Sequence, residues 1–98
     1  MAARSKAIII NEKDNVATAI VPLQKGNVVS LERRGRAEKI RVLSAIPMGH
    51  KFALQDIAKG TNVTKYGEAI GYATAGIAQG EHVHVHNVAS HRGRKEET

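Results

Sequence analysis

Cysteine is absent from this 98-residue chain, which excludes a disulfide framework, a thiolate metal site and a thiol nucleophile. A chain that makes no use of the thiol is expected in the cytoplasm. Tryptophan is absent as well, phenylalanine occurs once and tyrosine twice, so Val, Ile, Leu and Ala must fill the interior. No window reaches the ~20 apolar residues of a membrane span. The opening Met-Ala-Ala-Arg-Ser-Lys runs into Ile8, Ile9 and Ile10, and Asn11 and Glu12 end the stretch, so no secretory signal is expected. Gly67, Gly71 and Gly76 fit neither G-x-x-x-x-G-K-[ST] nor G-x-G-x-x-G, which excludes the usual phosphate-cradling loops, and no serine sits in a nucleophile elbow.

What is present is positive charge, and it is unevenly placed. Of the net +6, most comes from Arg33, Arg34, Arg36, Lys39 and Arg41 set against Glu38. The segment lacks the aromatic residues that stack bases, so nucleic acid is not the expected partner. Residues 91–98 mix Arg92, Arg94 and Lys95 with Glu96 and Glu97 and read as a basic, polar tail on a single domain spanning 1–90.

Apolar residues do not recur at helical spacing over any long window; short β-branched runs separated by glycines dominate. Strands are expected over 6–10, 15–20, 27–31, 38–43, 51–54, around Val63, and over 70–74 and 82–88, with Arg34-Gly35-Arg36 as a hairpin tip. Residues 54–58 suggest the one helical turn. A seven-residue phrase then recurs four times: an aliphatic, two variable residues, Gly, two variable residues and an apolar residue. It begins at Leu23, Ile46, Ile57 and Ile77 and places Gly26, Gly49, Gly60 and Gly80 at its centre. The spacings are irregular, so this is no solenoid period. It is punctuation, an anchor and a residue tolerant of positive φ wherever the chain must reverse, and it favours a folded-over packing of short strands.

The richest local chemistry is the run His82-Val83-His84-Val85-His86-Asn87. Along a strand, i, i+2 and i+4 share a face, so His82, His84 and His86 line one side while Val83, Val85 and Asn87 take the other. Neighbouring imidazoles at that spacing can converge on one divalent ion, with Zn, Fe or Mn suited to such donors. The alternative is a half-exposed strand whose wet face, or whose oligomer contact, happens to be histidine. His50 and Lys51 follow Gly49, and Lys65 and Tyr66 precede Gly67, so cationic groups and a phenol are offered from turns. Tyr66 in so aromatic-poor a chain is expected as a core plug. Asp14 and Asn15 are expected to start a strand after a turn, with a catalytic role for Asp14 secondary.

Five stretches, in this order, resemble the SAF domain of the altronate and galactarate dehydratase family. They are Asp14-Asn15-Val16-Ala17, Ile46-Pro47-x-Gly49-His50-Lys51, Ala53-Leu54-x-x-Ile57, Lys65-Tyr66-Gly67-x-x-Ile70-Gly71 and Val83-His84-x-His86-Asn87. The resemblance implies a mostly β, compact β-clip fold of short strands with at most one or two helical turns. It also implies the small-subunit form seen in sulfolactate sulfo-lyase-like members, a lyase subunit that needs a large catalytic chain. In that reading His84 and His86 act as acid–base groups, and with His82 as metal ligands. His50, Lys51, Lys65, Tyr66 and Asn87 contact a sugar-acid or sulfonate substrate. The expected assembly is an oligomer, away from membranes. A non-catalytic carbohydrate- or protein-binding SAF module is the alternative.

Overall fold

The four glycine phrases govern the path of the chain in the computed structural model, which describes residues 6–33 and 35–90. In each phrase the glycine adopts φ between 87° and 90°. The N–H of the following residue donates back three places, Asn27 to Gln24, His50 to Pro47, Thr61 to Ala58 and Glu81 to Ala78, at 2.9–3.0 Å. This is a type II turn, whose third position has positive φ and so favours glycine.

The phrases then pair two by two. Leu23 and Ile46 exchange both backbone hydrogen bonds at 2.9 Å, and Ile57 and Ile77 do the same at 2.7 and 2.8 Å. Each turn is also clasped from outside. The N–H of Gly26, Gly49, Gly60 and Gly80 donates to the carbonyl of Val42, Ala19, Ala73 and Ala53 respectively, and each of those residues donates back to the residue after the glycine, all at 2.8–3.0 Å. Val42 stands four places before Ile46 and Ala19 four places before Leu23, so each phrase holds the approach to its partner. The same exchange links Ala73 with Ile77 and Ala53 with Ile57. The irregular spacing thus conceals two reciprocal pairs.

Between these turns run nine short strands among the described residues: β1 Ala7–Ile8, β2 Val16–Ala19, β3 Val28–Arg33, β4 Arg36–Arg41, β5 Lys51–Ala53, β6 Asn62–Lys65, β7 Glu68–Ala73, β8 His82–Val83 and β9 Val88–Ala89. They form antiparallel sheets ordered β1-β2-β5-β8, β3-β4 and β6-β7-β9. The mostly β architecture expected from the sequence is what the structure has. Strands β2 and β5 are buried on both faces. Ala17, Ala19 and Phe52 join a core with Leu23, Val29, Leu31, Ile40, Val42, Ile46 and Leu54, while Val16 and Ala53 join a second core with Ile57, Val63, Ala73, Ile77 and Val83. A strand pair wedged between two cores reads as a near-continuous apolar run, as Val-Ala-Thr-Ala and Phe-Ala-Leu do.

Three sequence expectations need correction. Residues 54–58 form no helical turn: Leu54 and Gln55 bend, and Ile57 is committed to its bridge with Ile77. The strand expected over 82–88 ends at Val83, turns through 84–87 and resumes as β9. Tyr66 is no core plug but is 58% exposed at φ 58°, at the tip of the β6–β7 hairpin. The basic hairpin forms as expected, with Arg33 opposite Arg36, although Arg34 at its tip lies outside the described residues, as does the tail over 91–98.

Candidate functional site

The second and fourth glycine phrases deliver histidines to adjacent strands. His50 follows Gly49 into β5, and His82 opens β8 just beyond Gly80. The strands pair with Lys51 opposite Val83 and Phe52 opposite His82; one step further along the same register sets His50 opposite His84. Opposed residues of an antiparallel pair project from one face. The rings of His50 and His84 accordingly stack with centroids 4.2 Å apart, those of His50 and His82 lie at 5.1 Å, and those of His82 and His84 at 5.5 Å. His50 Nδ1 is 2.9 Å from His82 Nε2, a hydrogen bond between two imidazoles.

After Val83 the ribbon is broken by Asn87. Its Oδ1 accepts from the His84 N–H at 3.0 Å, its Nδ2 donates to the His82 carbonyl at 2.9 Å, and its own N–H donates to the His84 carbonyl at 3.0 Å. The side chain expected to meet substrate is therefore buried and engaged with backbone. The turn throws Val85 outward, 81% exposed, instead of onto the Val83 face. It also leaves His86 exposed, its ring 5.3 Å from that of His82 and tilted by 36°.

Two of the histidines, His82 and His84, are biased toward the uncharged form. Loss of hydration lowers the pKa of His82 first, and the neighbouring His50, His86, His84 and Lys51 lower it further. His84 is lowered in the same direction by loss of hydration and then by His50, Lys51 and His86. An uncharged ring keeps one nitrogen lone pair free for a proton or a metal.

Lys51 is half-buried, and its pKa is lowered by that burial and by the charge of Lys65. It lines a groove of about 280 Å³ together with Ile70, His84, Val85, Val88 and Ser90. Lys65 stands apart from that lining and lays its Nζ 4.8 Å above the ring of Tyr66. Asp14 is taken up structurally: it is buried, its Oδ2 accepts from the Asn11 N–H at 3.1 Å and its Oδ1 from the Gly67 N–H at 2.8 Å.

The structure thus gathers His50, His82 and His84, with one nitrogen from each within 4.8 Å of the others. The membership of His50 in the imidazole group was not apparent from local spacing. The available signal was that two of the four equivalent glycine turns are followed within two residues by histidine.

Known proteins place the chain in a family. The chain is 50% identical over 80 residues to the altronate dehydratase of Escherichia coli (strain K12), covering 82% of this chain and 15% of that one. It is 41% identical over 80 residues to the altronate dehydratase of Bacillus subtilis (strain 168), again 15% of the relative. It is 49% identical over 57 residues to the (2R)-sulfolactate sulfo-lyase subunit alpha of Chromohalobacter salexigens, covering 58% of this chain and 61% of that one. The chain therefore spans a small part of the dehydratases and three-fifths of the sulfo-lyase subunit. Residues 5–91 match the family described as the altronate/galactarate dehydratase SAF domain, and the chain belongs to that family.

Proposed function

We propose that this chain is the small subunit of a sugar-acid hydro-lyase of the altronate and galactarate type, or of a sulfolactate sulfo-lyase, and acts with a large catalytic chain. The observation that carries the reading is the cluster of His50, His82 and His84, whose His84 lines a groove beside Lys51. Kinship with a protein named as a lyase subunit and matched over three-fifths of its length supports the small-subunit form.

Both reactions are β-eliminations on a carboxylate-bearing substrate. A base removes the proton next to the carboxylate, the electron pair forms the carbon–carbon double bond, and the β-group leaves as water after protonation or as sulfite. Lys51 supplies a cation for the carboxylate, held at the groove wall. His84 lines the same groove, within reach of a proton in transit, and His86 stands exposed beside His82 as a second candidate. A divalent ion on the imidazole nitrogens would polarise the departing oxygen. The remainder of the site belongs to the large chain, which covers Ile70, Val85 and Val88 and excludes water from the groove. The dehydratase relatives support that occupant, since the matched region is 15% of their length.

The test is turnover. Mixing the chain with its candidate large subunit is expected to eliminate water from altronate or galactarate, or sulfite from sulfolactate. His84→Ala is expected to lower kcat by at least about 10²-fold, whether its free nitrogen moves a proton or holds the ion. If His84→Ala and His86→Ala both leave kcat and KM unchanged, the chain is instead a module that positions or stabilises the enzyme.

A further inference from the structure

We infer that this chain alone carries a first-row divalent ion on His50, His82 and His84, with His86 left out of the coordination shell. The inference deepens the proposed function and rests on it for what the ion does, while the binding itself is a property of the 98-residue chain.

The donor set is three imidazole nitrogens within 4.8 Å of one another. Ligands at ~2.0–2.1 Å on a tetrahedral centre lie ~3.3–3.4 Å apart. The 2.9 Å His50–His82 contact then opens by a few tenths of an ångström. No other pair closes by more than about 1.5 Å, and the rings, now stacked at 11–23° to one another, turn about their χ angles to aim their nitrogens at one centre. The ion replaces the proton now shared between His50 and His82. Three imidazoles leave a fourth position for water or a substrate oxygen, the pattern of a reactive rather than a closed structural site.

The backbones beneath the rings are fixed. His50 donates its N–H to Pro47 and accepts at its carbonyl from Ala19, at 3.0 and 2.8 Å. His82 and His84 are tied together through the buried amide of Asn87. Asn87 is therefore a positioning residue for two of the three ligands. His86 follows the turn outward, is exposed, and does not belong to the convergent group.

The probe is zinc, titrated into the 98-residue chain without any partner. One equivalent is expected to bind, and ¹⁵N spectra are expected to shift the ring nitrogens of His50, His82 and His84 but not those of His86. His50→Ala, His82→Ala and His84→Ala are each expected to weaken binding by more than about 100-fold, beyond the usual cost of losing an outer-shell partner, and His86→Ala by less than about 10-fold. Shifts at His86 with none at His50, or no saturable binding to the chain alone, would overturn the inference. Because the spectra use the unsubstituted chain, they decide it even where a variant misfolds. Zinc binding without turnover in the mixed complex would sink the lyase reading and leave the site standing.

Discussion

The Asp14 carboxylate accepts a hydrogen bond at 2.8 Å from the backbone N–H of Gly67, fifty-three residues further along the chain. Its second oxygen holds the Asn11 N–H, so one buried side chain ties the β1–β2 connection to the β6–β7 hairpin. Asp14→Ala strands two N–H donors and is expected to cost about 2–6 kcal/mol, at 1–3 kcal/mol for each donor left unsatisfied. Urea unfolding measures this, and zinc binding at the distant histidines is expected to persist in the folded fraction.

Gly26 and Gly80 occupy equivalent turns in different surroundings. A Cβ on Gly26 meets open space, whereas one on Gly80 runs into the backbone carbonyl of Arg41. Gly26→Ala is therefore expected to cost only the positive-φ strain, about 1–2 kcal/mol. Gly80→Ala adds a backbone collision and is expected to cost clearly more. Denaturation midpoints of the two variants check the difference, and equal midpoints would contradict the close approach.

The depressed pKa values of His82 and His84 give a pH dependence of known sign. Below the unfolded value of about 6.5 the unfolded chain binds more protons than the folded one. The contribution is complete above that value and is lost as the pH falls through the folded values. The urea midpoint is expected to drop between pH 7.5 and pH 5, with a shallower drop in a His82→Gln, His84→Gln double variant.

Val85 is 81% exposed at the rim of the groove and packs on nothing that its removal would disturb. Val85→Asp is expected to change stability by less than about 0.5 kcal/mol, as surface substitutions do. It is expected to weaken association with the large chain sharply, because the new charge would be desolvated beneath the partner. Thermal melting of the chain and a binding titration with the large subunit separate the two effects.

Much of this was legible in the sequence, and what was not has a common cause. The glycine phrases, the basic hairpin and the strand-rich character follow from local chemistry. Which phrase pairs with which does not, since Leu23 and Ile46 or Ile57 and Ile77 meet only through long-range hydrogen bonds. Leu54 and Ile57, three apart, look like one helical face until the Ile77 bridge claims Ile57. The run of alternating histidines suggests an uninterrupted strand, because the amide of Asn87 that bends it is indistinguishable in the sequence from a polar strand residue. His50 joins the histidines through the register of β5 with β8, thirty-two residues away from His82.

The reciprocal clasping of the glycine turns bears on how the molecule acquires its shape. Residue 19 waits for residue 49 and residue 53 for residue 80, so neither half can finish as a local hairpin before distant chain has arrived. Such wiring raises contact order and makes folding slow and all-or-none. It also means that the imidazoles, seated just after two of the clasped turns, meet only through pairing of distant chain, so that an ion bound by all three would report that this pairing is in place.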